Sequence, residues 1–159
     1  MTIIAAVDPG LANTGIVVMD KDRVYATTTL HSVGKTNSWE ETRSRAQKMA
    51  VDIVSFIRAS EAEHVIVECF EQQSYKGVTE KSWATVLVLA YLDVALSGAA
   101  VWQTPSEALK DTKDYRDLWK ACGDKGAGIL LGDKAITNEH LRSAASHGIY
   151  YLNMEGRRA

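Results

Sequence analysis

The chain has 159 residues, a formal net charge of −2 and two cysteines, with an isoelectric point near 6.1. That length suits one domain over 1–159, able to bury roughly two-thirds of its unfolded surface without disulfide or metal staples. The slight negative charge excludes a global positive field, so any contact with nucleic acid must rest on a local basic surface. Cys69 and Cys122 form no C-x-x-C pair, which excludes a zinc ribbon or redox motif and reads as two buried thiols in a reducing cytoplasm. The longest strongly apolar stretch, 84–92, is too short to span a bilayer, and no basic-then-apolar segment opens the chain. A soluble protein without a membrane partner is expected.

In chain order, residues 2–7, 15–19 and 24–31 are strand-like, separated by Pro9-Gly10 and by Asp20-Lys21-Asp22-Arg23. They predict a three-stranded meander. Ser38-Trp39-Glu40-Glu41 has capping-box spacing, and Ala46, Met49, Ala50, Ile53, Phe56 and Ile57 recur at helical intervals, predicting an amphipathic helix to Ala59. A fourth strand, 64–67, ends at Glu68. Residues 79–96 are apolar nearly all round, which predicts a helix enclosed in the core. A fifth strand is expected over 99–102. Thr104-Pro105-Ser106-Glu107 then combines a cap, a proline at the first helical position and a capping-box Glu, the strongest helix start in the chain. Residues 123–132 hold four glycines and predict a flexible loop, followed by a last helix over 138–152. Val33-Gly34-Lys35-Thr36 is not a nucleotide loop, because Thr29 stands where its first glycine is required.

The stretch AAVDPGLANTG, 5–15, places Asp8 where a buried strand leaves the core. An acid before Pro-Gly either hydrogen-bonds its own turn or belongs to a site. The order β-β-β-α-β-α-β-α-α predicts a meander passing into right-handed crossovers of a mixed sheet. Open sheets of this kind bind ligands outside the carboxyl ends of their strands, and Asp8 and Glu68 close strands one and four. If those strands are neighbours, the two acids face one pocket.

With VDPGLANTG on strand one and VIVECF on strand four, the chain resembles the RuvC family of Holliday-junction resolvases over nearly its whole length. TPSEALKD and the core helix WATVLVLAYLDVAL are similar to the family in spacing. The resemblance implies a ribonuclease H-like α/β fold, a mixed sheet of five strands in the order 3-2-1-4-5 flanked by helices. It implies an endonuclease that cleaves four-way or branched DNA with two Mg2+ ions, Mn2+ substituting, and acts as a homodimer because two symmetric strands are cut. The chemistry accounts for the acids. Two cations about 3.5–4 Å apart supply a deprotonated water and stabilise the leaving oxygen, and carboxylates hold them, whereas bare acids so close repel.

The family's final motif is an H-x-x-D or D-x-x-D pair on the last helix; here His140 stands in the first place and Ser143 in the second. At about 100° per residue, Glu139, His140, Ser143 and His147 share one arc. Asp8, Glu68, Glu139 and His140 are therefore the candidate catalytic and metal-binding residues, with Ser143 as a further ligand in the place of the missing acid. Glu139 reads equally as a first-turn acid favoured by the helix dipole, and His147 as a packed histidine. For DNA, Phe70 and Tyr75 stand where family members wedge an aromatic ring into the junction, and Lys76 and Lys81 are placed for phosphates. Lys110, Lys113, Arg116 and Lys120 recur at helical spacing over 104–121, with Asp111, Asp114 and Asp117 to pair with them as an ordinary solvated face. Ser143 also admits a catalytically silent junction-binding protein, and the fold admits a ribonuclease H acting on RNA–DNA hybrids.

Overall fold

The computed structural model describes residues 2–34, 38–69, 80–111, 129–131, 134–136 and 138–158. Strands β1 (Ile4–Asp8), β2 (Asn13–Met19) and β3 (Val24–His31) form the meander, followed by α1 (Trp39–Ala59) and β4 (His64–Glu68). Then come α2 (Glu80–Leu96), β5 (Ala100–Gln103) and α3 (Pro105–Asp111). The chain continues through β6 (Ile129–Leu131), β7 (Lys134–Ile136) and α4 (Glu139–Arg158). The main sheet has the order β3-β2-β1-β4-β5, antiparallel from β3 to β1 and parallel from β1 through β4 to β5.

Alternation along the strands divides the core between two faces. Ala5, Val7, Ile16, Val18, Val65 and Val67 face α1 and α2, packing with Met49, Ile53, Val88 and Leu92. Ile4, Ala6, Val17, Met19 and Ile66 face the opposite way, onto Leu141, Ala144, Ala145 and Ile149 of α4. The same parity puts Asp8 and Glu68 on the α4 side.

Local chemistry sets the element ends. Ser38 caps α1 by accepting from the Glu41 backbone N–H at 3.2 Å. Thr104 and Glu107 cap α3 reciprocally, the Thr104 N–H donating to Glu107 Oε2 at 2.7 Å and the Glu107 N–H to Thr104 Oγ1 at 3.4 Å. Asn138 Oδ1 accepts from the Leu141 N–H at 2.9 Å and so starts α4.

Four expectations need correction. Within 123–132, read as loop, Ile129–Leu131 pairs with Lys134–Ile136 as a short antiparallel ladder; glycine spacing hid a three-residue strand that depends on its partner. Helix α4 runs to Arg158, past Leu152 and through Gly156. Only one face of α2 is buried, through Ala84, Val88 and Leu92, while Trp83 and Val94 are exposed. Cys69, at the end of β4, is half-buried. No helix among the described residues is long and apolar enough to cross a membrane.

Helix α4 seats closely on the sheet where Gly15 of β2 and Gly148 of α4 each face the opposing element. A Cβ on Gly15 of β2 would stand 2.8 Å from the Leu141 backbone nitrogen and nearer still to the His140 carbonyl. A Cβ on Gly148 of α4 would meet Met19 Sδ at 2.9 Å and Ala6 Cβ at 3.2 Å. Gly15→Ala collides with backbone, which cannot rotate away, and is expected to cost about 2 kcal/mol or more, lowering Tm by roughly 5 °C. Gly156→Ala, on the same helix with nothing nearby, is expected to leave Tm unchanged or raise it slightly. Thermal melts of the two variants check this; equal effects would contradict the close seating.

Candidate active site

Asp8 is the last residue of β1 and pairs across the ladder with Gly15. Its turn is closed by another residue: buried Thr14 donates from Oγ1 to the Gly10 carbonyl at 2.9 Å and accepts from the Gly10 N–H at 3.1 Å. Asp8 is thereby released from turn duty, and its Oδ2 instead meets His140 Nδ1 at 3.0 Å. Because Gly15 has no side chain, the first turn of α4 sits directly over it and the His140 ring reaches the neighbouring Asp8.

Strand register places the other partners. Val7 pairs with Val67 and Glu68 with Gln103, so Asp8, Glu68 and Gln103 stand side by side at the carboxyl ends of three parallel strands. Over this row lie His140, Ser143 and His147, one row along α4 at intervals of three and four residues. Ser143 Oγ donates to Glu68 Oε2 at 2.6 Å. His147 Nε2 lies 3.3 Å from the same oxygen, and His147 Nδ1 lies 3.0 Å from Gln103 Oε1.

Thus the structure brings together Asp8, Glu68, His140, Ser143 and His147. Glu139 is at the margin, its side chain 82% exposed and 3.8 Å from His140 Nε2. Gln103 was missed by sequence reasoning, which ended β5 one residue earlier; its signal was a lone amide closing an apolar strand. Phe70, Tyr75, Lys76, Lys113, Arg116 and Lys120 lie outside the described residues, as do the side chains of Lys81 and Lys110, whose backbones belong to α2 and α3.

The two acids are electrostatically unequal. Burial, and next the charge of Glu68, push the Asp8 carboxyl up to about 7 against the pull of His140. Burial also raises Glu68, but the hydrogen bonds from His147 and Ser143 with the His147 charge outweigh it and hold Glu68 below its ordinary value. The ion pairs found for these acids among the described residues are with histidines. Such a pair has the chemistry of a cation site: buried, oxygen-rich and short of positive charge. As the side chains stand, no group of three or more His, Cys, Asp or Glu among the described residues is arranged around a cation, since the imidazoles are hydrogen-bonded to the carboxylates. The donor set fits a hard divalent ion in composition, with Asp8, Glu68, His140 and Ser143 as the groups that would hold it.

Comparison with solved structures now decides the fold. RuvC of Thermus thermophilus in complex with a Holliday junction substrate matches over 96% of each chain, with a TM-score of 0.71 and 18% identity. The fold is that of RuvC. A second Thermus thermophilus RuvC structure matches over 97% of each chain with a TM-score of 0.65 and 17% identity. The yeast mitochondrial Holliday junction resolvase Ydc2 matches at 0.56 and 10%, over 99% of this chain and 85% of its own. No family model matches the sequence, and no curated protein matches it. The RuvC architecture therefore persists here at an identity too low to carry residue roles, which rest on the geometry above.

Folding raises Asp8 from 3.8 to about 7. A folded state that binds a proton more tightly than the unfolded chain loses stability as the pH rises between those values. In chelator, Asp8 is expected to remove on the order of 2–4 kcal/mol of stability from about pH 4 to 7. Glu68 acts in the opposite sense, its contribution present above 4.5 and lost as the pH falls. Asp8→Asn is expected to be more stable than the parent at about pH 8 and nearly equal to it at about pH 4. Denaturant titrations at both pH values check this; a parallel pH response of the two proteins would rule out a strained acid pair.

Proposed function

We propose that this chain is a divalent-metal-dependent, structure-selective DNA endonuclease that cleaves four-way or otherwise branched junctions. The observation that carries the reading is Asp8 and Glu68 side by side at the ends of β1 and β4, with His140 on Asp8. The names of the structural neighbours, two of which are a resolvase or a complex with a junction, support the choice of substrate. Asp8, Glu68 and His140, with the Ser143 hydroxyl beside them, would hold Mg2+ or Mn2+, and bound cations would lower the pKa of an attacking water and stabilise the leaving oxygen. Asp8 would bind as the carboxylate, so a cation would compete with the proton that burial favours there. Ser143 keeps Glu68 oriented. Glu139 adds negative charge at the mouth beside His140. Two symmetric strands require two such sites, which a homodimer provides. Lys76, Lys81, Lys110, Lys113, Arg116 and Lys120 would contact phosphates and Phe70 and Tyr75 would stack on unpaired bases.

A catalytically silent junction-binding protein is the second reading. It is favoured by Ser143 in the place of an acid. One experiment separates the two, a panel of labelled four-way junction, flap, duplex and RNA–DNA hybrid with Mg2+ or Mn2+. Junction nicking is expected, with Asp8→Asn slowing it by roughly 10³-fold or more while changing junction affinity by less than about threefold, since phosphate contacts dominate binding. Binding without nicking identifies the silent protein, and preferential hybrid cleavage a ribonuclease H. Ser143→Asp restores a carboxylate beside Glu68 and is expected to lower the Mg2+ concentration needed for half-maximal nicking; an unchanged requirement would show that position 143 does not face the cations.

A further inference from the structure

We infer that Gln103 and His147 are positioning residues, a buried relay from β5 through α4 that orients Glu68 for cation binding. The inference rests on the metal-dependent reading above and extends it to two residues outside the proposed ligand set. Gln103 and His147 are 5% and 2% exposed, in a helix–sheet interface otherwise made by Ile4, Ala6, Ile66, Ala144 and Ala145. Polar groups buried in such surroundings are costly unless their hydrogen bonds are made. They are made in one line: Gln103 Oε1 to His147 Nδ1 at 3.0 Å, and His147 Nε2 to Glu68 Oε2 at 3.3 Å.

The backbone makes this line a closed loop. Gln103 pairs with Glu68 in the β4–β5 ladder, and its carbonyl accepts from the Cys69 N–H at 2.8 Å. The origin of the relay is thus fixed to the strand that carries its target. The amide of Gln103, turned so that its nitrogen faces the ring, donates to His147 Nδ1 and leaves Nε2 as the nitrogen that carries the hydrogen, 3.3 Å from Glu68 Oε2. Ser143 donates to the same oxygen, so donors grip Oε2 from two successive turns of α4 and Oε1 lies outside both contacts. A carboxylate held by one oxygen has its plane and its remaining oxygen set in advance, which is how partners behind a ligand raise metal affinity.

The test uses the full chain, with Mn2+ alone as probe. Gln103→Leu and His147→Phe keep bulk and remove the line. His147→Gln retains an N–H that reaches Glu68. Gln103→Leu and His147→Phe are expected to weaken Mn2+ binding, followed by its paramagnetic resonance signal without DNA, by roughly 10–100-fold. His147→Gln is expected to recover at least half of that loss on a logarithmic scale. On junction DNA, kcat should fall at a given Mn2+ concentration while KM for DNA stays fixed. A solvent-protected ring N–H of His147 should appear in nitrogen-15 spectra of the parent and exchange faster with water in Gln103→Leu, where Nδ1 has lost its partner and no longer fixes the tautomer. If Gln103→Leu does not fold, the two His147 variants carry the comparison. Parent-like Mn2+ binding in His147→Phe, no recovery in His147→Gln, or a parent that binds no Mn2+ would overturn the relay. A parent that binds Mn2+ in the expected order of variants yet nicks no junction would overturn the nuclease reading and leave the relay standing.

Discussion

The closest constraint in this molecule is the contact of the first turn of α4 with the backbone of β2 at Gly15. No side chain separates the two elements there, and Gly148 permits the same approach farther along the helix. With helix and sheet this near, the row of α4 side chains at 140, 143 and 147 meets the strand ends. His140 falls on Asp8, Ser143 on Glu68 and His147 between Glu68 and Gln103. A helix held away by ordinary side chains would sit a few ångströms farther out, beyond hydrogen-bond reach. The apolar seat of α4 and the polar site are consequences of one packing decision.

That decision also makes the two acids different. Glu68 collects donors from Ser143 and His147, which outweigh burial and keep it ionised. Asp8 has His140, which does not offset burial and the neighbouring charge. Adjacent carboxylates whose environments drive them apart are a recurring device of acid–base and metal chemistry. In the folded protein without cation the arrangement is a cost, carried by the apolar packing on both faces of the sheet. Thr14 contributes indirectly: by closing the β1–β2 turn itself, it leaves the Asp8 carboxylate to His140.

Much of this was legible in the amino-acid order. Capping residues announced α1 and α3, periodicity separated strands from helices, and the acid-Pro-Gly-x4-Gly pattern with Glu68 pointed to the strand ends where the site lies. These signals are local, arising from backbone hydrogen bonds, rotamer limits and one-sided burial within a few residues. The limits of local reading appear where partners matter. Strand β6 lies inside the glycine-rich 123–132, which reads as loop, because each strand of its ladder has three residues and exists only as a pair. Helix α2, apolar all round in sequence, buries Ala84, Val88 and Leu92 and leaves Trp83 and Val94 exposed.

The site was legible as a set of residues and not as an arrangement. Sequence named Asp8, Glu68, His140 and Ser143, and left open whether Asp8 served its own turn, whether His147 merely packed and whether Glu139 filled the place of an acid. Only the fold answered the geometric part. His140 and Asp8 are 132 residues apart in the chain, Ser143 and Glu68 75 apart, His147 and Gln103 44 apart. Periodicity carries no information over such separations. Strand register and the depth at which α4 sits decide them, and both are set by long-range packing, above all by the space that two glycines leave empty.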